Sequence, residues 1–247
     1  MSDSEEELFE KRIKIVFVGD SGAGKTSIAT RYCNGEFTRH YSPTAGVDFF
    51  LKSVRLGDSK NVTLYIWDIG GLALHGNMLD KYIFGAHVIF FVYDVTNMSS
   101  FEVLETWIET IRHLNEILEM QPAMAILGNK CDIAHQRTVK SDKSHKFAID
   151  NGMPCYDVSA RTGESIGARI GDLVAQIFGI PTTKIGERGL QRTTGQDSID
   201  RKQSKPTLQQ STLPMVQKIT QKQAKKLKKT ASNPMLPRSK SSVCSLQ

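Results

Sequence analysis

The stretch Gly19-Asp20-Ser21-Gly22-Ala23-Gly24-Lys25-Thr26 constrains this chain more than any other. It fits the spacing G-x-x-x-x-G-K-[ST] without a gap. Its flanks agree: Ile13 to Val18 reads as a short buried strand and Thr26 to Tyr32 as the first turns of a helix. A glycine-rich turn between strand and helix aims successive backbone N–H groups at one point, where the helix N-terminus adds partial positive charge. That is a cradle for a polyphosphate. Lys25 would reach the β- and γ-phosphates and the Thr26 hydroxyl would ligate Mg²⁺, with Gly19, Ser21, Gly22, Ala23, Gly24 and Ser27 lining the cradle.

The remaining elements predict what sheet this loop hangs from. Asn34 to Gly46 is polar and turn-rich. Val47 to Leu56 and Val62 to Trp67 read as strands joined by Gly57-Asp58-Ser59-Lys60, a hairpin signal, and Ile69 to Gly76 reads as loop. Val88 to Tyr93 is an unbroken apolar run ending in Asp94, which suits a strand covered on both faces. Phe101 to Leu118 has helical periodicity, with Ser99 or Ser100 as its cap. Ala123 to Leu127 and Cys155 to Val158 read as strands, Ser141 to Asp150 and Ile166 to Phe178 as helices. Strands alternating with helices predict an α/β domain, a mostly parallel sheet with helices on both faces.

A second motif addresses the base. Gly128-Asn129-Lys130-Cys131-Asp132 follows a strand, where ligand loops of open α/β sheets lie. An ionised Asp132 could accept from both N1–H and the exocyclic amine of guanine. Adenine lacks that donor pair and would leave the carboxylate unpaired, a contrast of roughly 10⁴–10⁵ in sites built this way. Ser159-Ala160-Arg161, after the next strand, could pack its backbone against the same base.

Charge divides the chain. Residues 1–180 carry a net −5 and residues 181–247 a net +11. The tail is rich in Gln, Ser, Thr and Lys and too poor in apolar residues to pack a core, so it reads as a disordered arm seeking anionic surfaces. Lys218, Lys222, Lys225, Lys226, Lys228, Lys229, Arg238 and Lys240 precede Cys244-Ser245-Leu246-Gln247, an ending that fits C-a-a-X with a last residue favouring farnesyl on Cys244. No interleaved aromatics or folded reader accompany the basic run, so nucleic acid is not the expected partner. The four cysteines lack metal-ligand spacing and suggest no disulfide framework, which points to a reducing cytosol. No apolar run of 18 residues predicts a membrane span.

Taken in order, the phosphate loop, Thr44, Asp68-Ile69-Gly70-Gly71, Asn129-Lys130-Cys131-Asp132 and Ser159-Ala160-Arg161 resemble the Ras-superfamily small GTPases over roughly residues 12–180. Thr44-Ala45-Gly46-Val47-Asp48-Phe49 and Trp67-Asp68-Ile69-Gly70-Gly71 are similar to the Rab family, and Met78-Leu79-Asp80-Lys81-Tyr82-Ile83 with the acidic start most resembles a divergent, farnesylated branch of it. The resemblance implies a phosphate-loop NTPase of the small-GTPase fold, with six strands, one antiparallel, and five helices. An acidic disordered segment at 1–11 would precede it and the basic hypervariable tail at 181–247 would follow.

The resemblance also implies roles. Thr26 and Thr44 would ligate Mg²⁺, with Asp68 holding it through water. Gly71 would give its N–H to the γ-phosphate, and Phe37 would stack beside guanine. Lys25 and Thr44 would serve the hydrolysis of GTP to GDP. Residues 34–46 and 69–84 become switch loops, and Phe49, Trp67 and Tyr82 would face effectors. Exchange factors, activating proteins and a prenyl-binding chaperone complete the expected partners, on the cytoplasmic face of membranes, with the cilium as the branch's suggested place. Leu72 stands where the family carries the Gln that orients the attacking water, and His75 is the nearest titratable side chain to it. Two readings follow: a cycling GTPase slowed by Leu72, or a mostly GTP-loaded module that recruits effectors. Arg161 replaces the family's usual Lys. Base recognition should survive that change, since the backbone makes the contact.

Overall fold

The computed structural model describes residues 11–56 and 60–179. The first ten residues, the hairpin turn, the basic block and Cys244 lie outside the described residues. Six strands form one sheet: β1 (Lys11–Val18), β2 (Val47–Leu56), β3 (Lys60–Ile69), β4 (Val88–Asp94), β5 (Ala123–Asn129) and β6 (Cys155–Asp157). Five helices accompany them: α1 (Lys25–Asn34), α2 (Leu79–Ile83), α3 (Met98–Ile117), α4 (Ser141–Asp150) and α5 (Ile166–Ile177). The spatial order is β2-β3-β1-β4-β5-β6, with only the β2–β3 pair antiparallel.

Strand alternation explains the two cores. Ile13, Ile15 and Phe17 of β1, with Val88, Phe90 and Val92 of β4, face one side, where α1 supplies Ile28 and Tyr32 and α5 supplies Ile170 and Leu173. Val16, Val18, Ile89 and Phe91 face the other, against Leu79 and Ile83 of α2, Leu104 and Trp107 of α3, and Ala148 of α4. Each of these large side chains removed from water contributes ~1.5–3 kcal/mol, so β1 and β4 anchor the fold from both faces. Both strands end at the same edge of the sheet, and the loops that follow them build the site.

Two local expectations change. The cap of α3 is Asn97, whose side chain accepts from the Ser99 N–H at 3.0 Å, not Ser99 or Ser100. Ser100 is buried and its hydroxyl donates instead to the Asn97 carbonyl at 2.7 Å, inside the first turn. The stretch after β3 is more ordered than a loop: Gly71–His75 forms a 3-10 turn and Leu79–Ile83 the short helix α2. Among the described residues no helix is long and apolar enough to cross a membrane.

Candidate functional site

The sequence folds the phosphate loop as a tight nest. Gly24 takes φ +94°, where an added Cβ would stand 2.2 Å from the Asn129 side-chain nitrogen, so only glycine fits both the conformation and the approach. Lys25 is buried at the start of α1 and its Nζ donates to the carbonyls of Gly19 and Asp20 at 2.9 and 2.7 Å. Burial pulls its pKa down to about 8, against the raising influence of Asp68 and Asp20. An ammonium so desolvated gains from an incoming phosphate.

Three oxygens meet beside it. The Thr26 hydroxyl donates to Asp68 Oδ2 at 2.5 Å and lies 3.0 Å from the Thr44 hydroxyl, which itself reaches Asp68 Oδ2 at 3.3 Å. Asp68 is fully buried at the end of β3, and its Oδ1 has no hydrogen-bond partner among the described residues. Burial raises its pKa, while the two threonines and Lys25 oppose that rise. A buried, half-satisfied carboxylate among hydroxyls suits a hard divalent cation. Among the described residues no group of three His, Cys, Asp or Glu could hold a metal by itself. The donor set therefore fits Mg²⁺, which keeps several waters and takes phosphate oxygens as further ligands.

The backbone around Gly46 and Gly70–Gly71 closes on this point. The Gly70 N–H donates to the Gly46 carbonyl at 2.8 Å, and a Cβ on Gly71 would lie 2.4 Å from the Ser21 nitrogen. Leu72, next along, is 83% exposed, and His75 is exposed at the end of the same turn.

At the base end, Asn129 joins two loops. It is 1% exposed, its Nδ2 donates to the Ala23 carbonyl at 2.9 Å, and its Oδ1 accepts from the Ala160 N–H at 3.0 Å. Lys130 takes a left-handed φ of 69° and pairs with Asp94 at 2.5 Å. Asp132 Oδ1 accepts from the buried Ser159 hydroxyl at 2.6 Å, and its Oδ2 lies 3.8 Å from the Arg161 guanidinium. One cleft of about 780 Å³ spans both ends, with residues 37–42 as its outer wall. Of the residues expected around the nucleotide and its Mg²⁺, all but Gly19, Ala23, Asp68 and Ser159 line it, and those four are buried.

Away from the cleft, Phe49 and Trp67 pair across β2 and β3, rings edge to face at 4.7 Å, with Phe49 58% exposed and Tyr82 half-buried. Sequence reasoning missed Lys14, whose Nζ lies 3.6 Å from the Trp67 ring centre and donates to the Phe84 carbonyl at 2.8 Å. It also missed Asp94 as the partner of Lys130. Nothing in the sequence marks either residue, because their partners lie on other elements.

Fold and cleft together define a phosphate-loop NTPase domain of the small-GTPase type. Residues 14–179 match the Ras family. The chain is 36% identical over 179 residues to the Ras-related protein Rab-28 of Caenorhabditis elegans, covering 72% of each chain. It is 32% identical to Rab-8 of Diplobatis ommata over 80% of this chain and 90% of that one, and 31% identical to human Rab-8B over 81% and 94%. The chain belongs to the Ras family, as a small GTPase of the Rab type. Such a protein is a switch that binds GTP or GDP with Mg²⁺, hydrolyses GTP, and works through exchange factors, activating proteins and effectors.

Proposed function

We propose that this Rab-type GTPase is a membrane-trafficking switch whose own hydrolysis is slow, so that the GTP-loaded form persists and recruits effectors. Leu72 carries this reading. It follows Gly71, at the family position of the water-orienting Gln, and its isobutyl group can neither donate to nor accept from water. Exposed as it is, it offers the reaction nothing in place of the amide.

The other residues keep their work. Lys25 would hold the β- and γ-phosphates, Thr26 and Thr44 would ligate Mg²⁺, and Asp68 would hold it through water. When bound, Mg²⁺ neutralises charge developing on the phosphate oxygens. The Gly71 N–H meets the γ-phosphate, Phe37 and Lys130 flank guanine, and Asn129, Asp132 and the backbone of Ser159-Ala160-Arg161 read its edge. The convergence of these residues on one cleft supports the assignment. Phe49, Trp67 and Tyr82 form the effector platform. Farnesyl on Cys244 and the basic block together hold the protein on anionic cytoplasmic membranes, with a prenyl-binding chaperone carrying it between them and the ciliary base as its place. One lipid chain alone gives only marginal binding.

Single-turnover hydrolysis tests the reading. The wild type should run at or below ~10⁻⁴ s⁻¹, and Leu72→Gln should raise the rate severalfold toward that of unassisted Ras enzymes. A rate indifferent to Leu72→Gln would refute the role given to this position. Acceleration by cell extract would mark a cycling enzyme, its absence a module turned over by nucleotide exchange. Membrane fractionation of Cys244→Ser tests the anchor, which fails if that variant stays with membranes.

A further inference from the structure

Arg31 belongs to neither nucleotide motif and does not line the cleft, yet it reaches the backbone at 160–161, Gly35 and the Phe37 ring together. It stands half-buried in the last turn of α1. Its Nε donates to the Ala160 carbonyl at 2.9 Å, one terminal nitrogen donates to the Arg161 carbonyl, and the other donates to the Gly35 carbonyl at 2.8 Å. The guanidinium lies 6.0 Å from the Phe37 ring centre. Its stem covers Gly163, where an added Cβ would come within 3.5 Å of Arg31 Cδ.

The Ala160 peptide is thereby held on both sides: Asn129 takes its N–H and Arg31 its carbonyl. Asn129 also ties down Ala23 in the phosphate loop, and α1 itself starts at Lys25. Two rigid struts thus join the loop at 159–163 to the phosphate loop, one through Asn129 and one along α1, from Lys25 to Arg31.

We propose that Arg31 is a positioning residue for nucleotide retention, clamping the 159–163 loop and Phe37 to α1 so that the base and phosphate halves of the cleft keep one spacing. The inference rests on the reading of that loop as base-binding. Without the guanidinium, three carbonyls lose charge-assisted donors, and the loop keeps its ties to Asn129 and, through Ser159, to Asp132 but loses its tie to α1. The planar fork matters. A lysine ammonium donates from a single atom and cannot span carbonyls lying in three directions.

The test uses the full chain loaded with N-methylanthraniloyl-GDP in Mg²⁺, with release chased by excess GDP. Arg31→Gln and Arg31→Ala should release the nucleotide roughly 10- to 100-fold faster, the effect of losing one or two charge-assisted hydrogen bonds. Arg31→Lys should recover less than half of that loss on a logarithmic scale. Single-turnover hydrolysis should slow by a much smaller factor than release quickens, because Lys25, Thr26 and Thr44 lie at the other end. A purely structural role would instead harm release and hydrolysis alike, with a lowered melting point in saturating GDP. That pattern, release within twofold of wild type in Arg31→Gln, or full rescue by Arg31→Lys would each overturn the clamp alone. Wild-type protein that released GDP and ADP alike would overturn the base-site reading and the clamp with it.

Discussion

Asn129 offers the sharpest structural test, because one side chain satisfies two buried peptide groups that belong to different loops. In Asn129→Ala the Ala23 carbonyl and the Ala160 N–H lose their partners, and both residues are at most 2% exposed. Each orphaned group costs ~1–3 kcal/mol, and water entering the vacated space recovers part of that, leaving a loss of about 2–4 kcal/mol. At 2–4 °C per kcal/mol for a domain of this size, the melting midpoint should fall by about 5–15 °C. Asn129→Asp should be worse at neutral pH. Its Oδ1 could still accept from Ala160, but its second oxygen would face the Ala23 carbonyl as acceptor against acceptor, with a buried charge added. Burial would raise that carboxyl's pKa in the fold, so the unfolded chain ionises first and the penalty grows as pH rises above about 4. The Asp variant should therefore close on the Ala variant as pH falls. Bound nucleotide adds stability of its own, so unfolding in urea should be followed after nucleotide removal with EDTA. An Asn129→Ala protein within about 0.5 kcal/mol of wild type would refute the claim that this residue joins the loops.

Two further outcomes follow from the geometry. Asp132→Asn keeps an acceptor for the Ser159 hydroxyl but loses the charge, so the preference for GDP over xanthosine diphosphate should shift by roughly 10⁴, read by competition binding. An unchanged preference would place guanine recognition elsewhere. Burial pulls Lys14 from 10.5 to about 8, so between about pH 8 and 9 the unfolded chain holds a proton the folded one has shed, and stability rises with pH. Above that window Cys33 and Cys155, pushed up by burial to about 11, act in the opposite direction. Trp67 emission, isolated by Trp107→Phe, should titrate near pH 8 and lose that step in Lys14→Met. A flat titration would show that the ammonium does not sit over the ring.

How much of this was legible depended on where the cause lay. The phosphate loop and Asn129-Lys130-Cys131-Asp132 were readable because the chemistry needs fixed residues at fixed spacing, and the apolar runs of β1 and β4 announced a sheet covered on both faces. The cap of α3 was not readable, since Asn97, Ser99 and Ser100 are all good capping residues. The choice is made by Ser100 being drawn into the buried turn. The turn at Gly71–His75 and helix α2 are five residues each, too short to show a period. Arg31 and Lys14 read as ordinary surface cations because the carbonyls they bind lie 129 and 70 residues away, at Ala160 and Phe84.

β2 forms the outer border of the sheet, ten residues long, and two of its large side chains, Phe49 and Leu51, stand 58% and 61% exposed. A long unpaired border with apolar side chains is a template for unwanted strand addition. This border is thus the domain's weakest point in solution, and association, more than unfolding, should limit how concentrated the free domain can be kept. Any partner that covers β2 is therefore a solubilising agent as well as a listener.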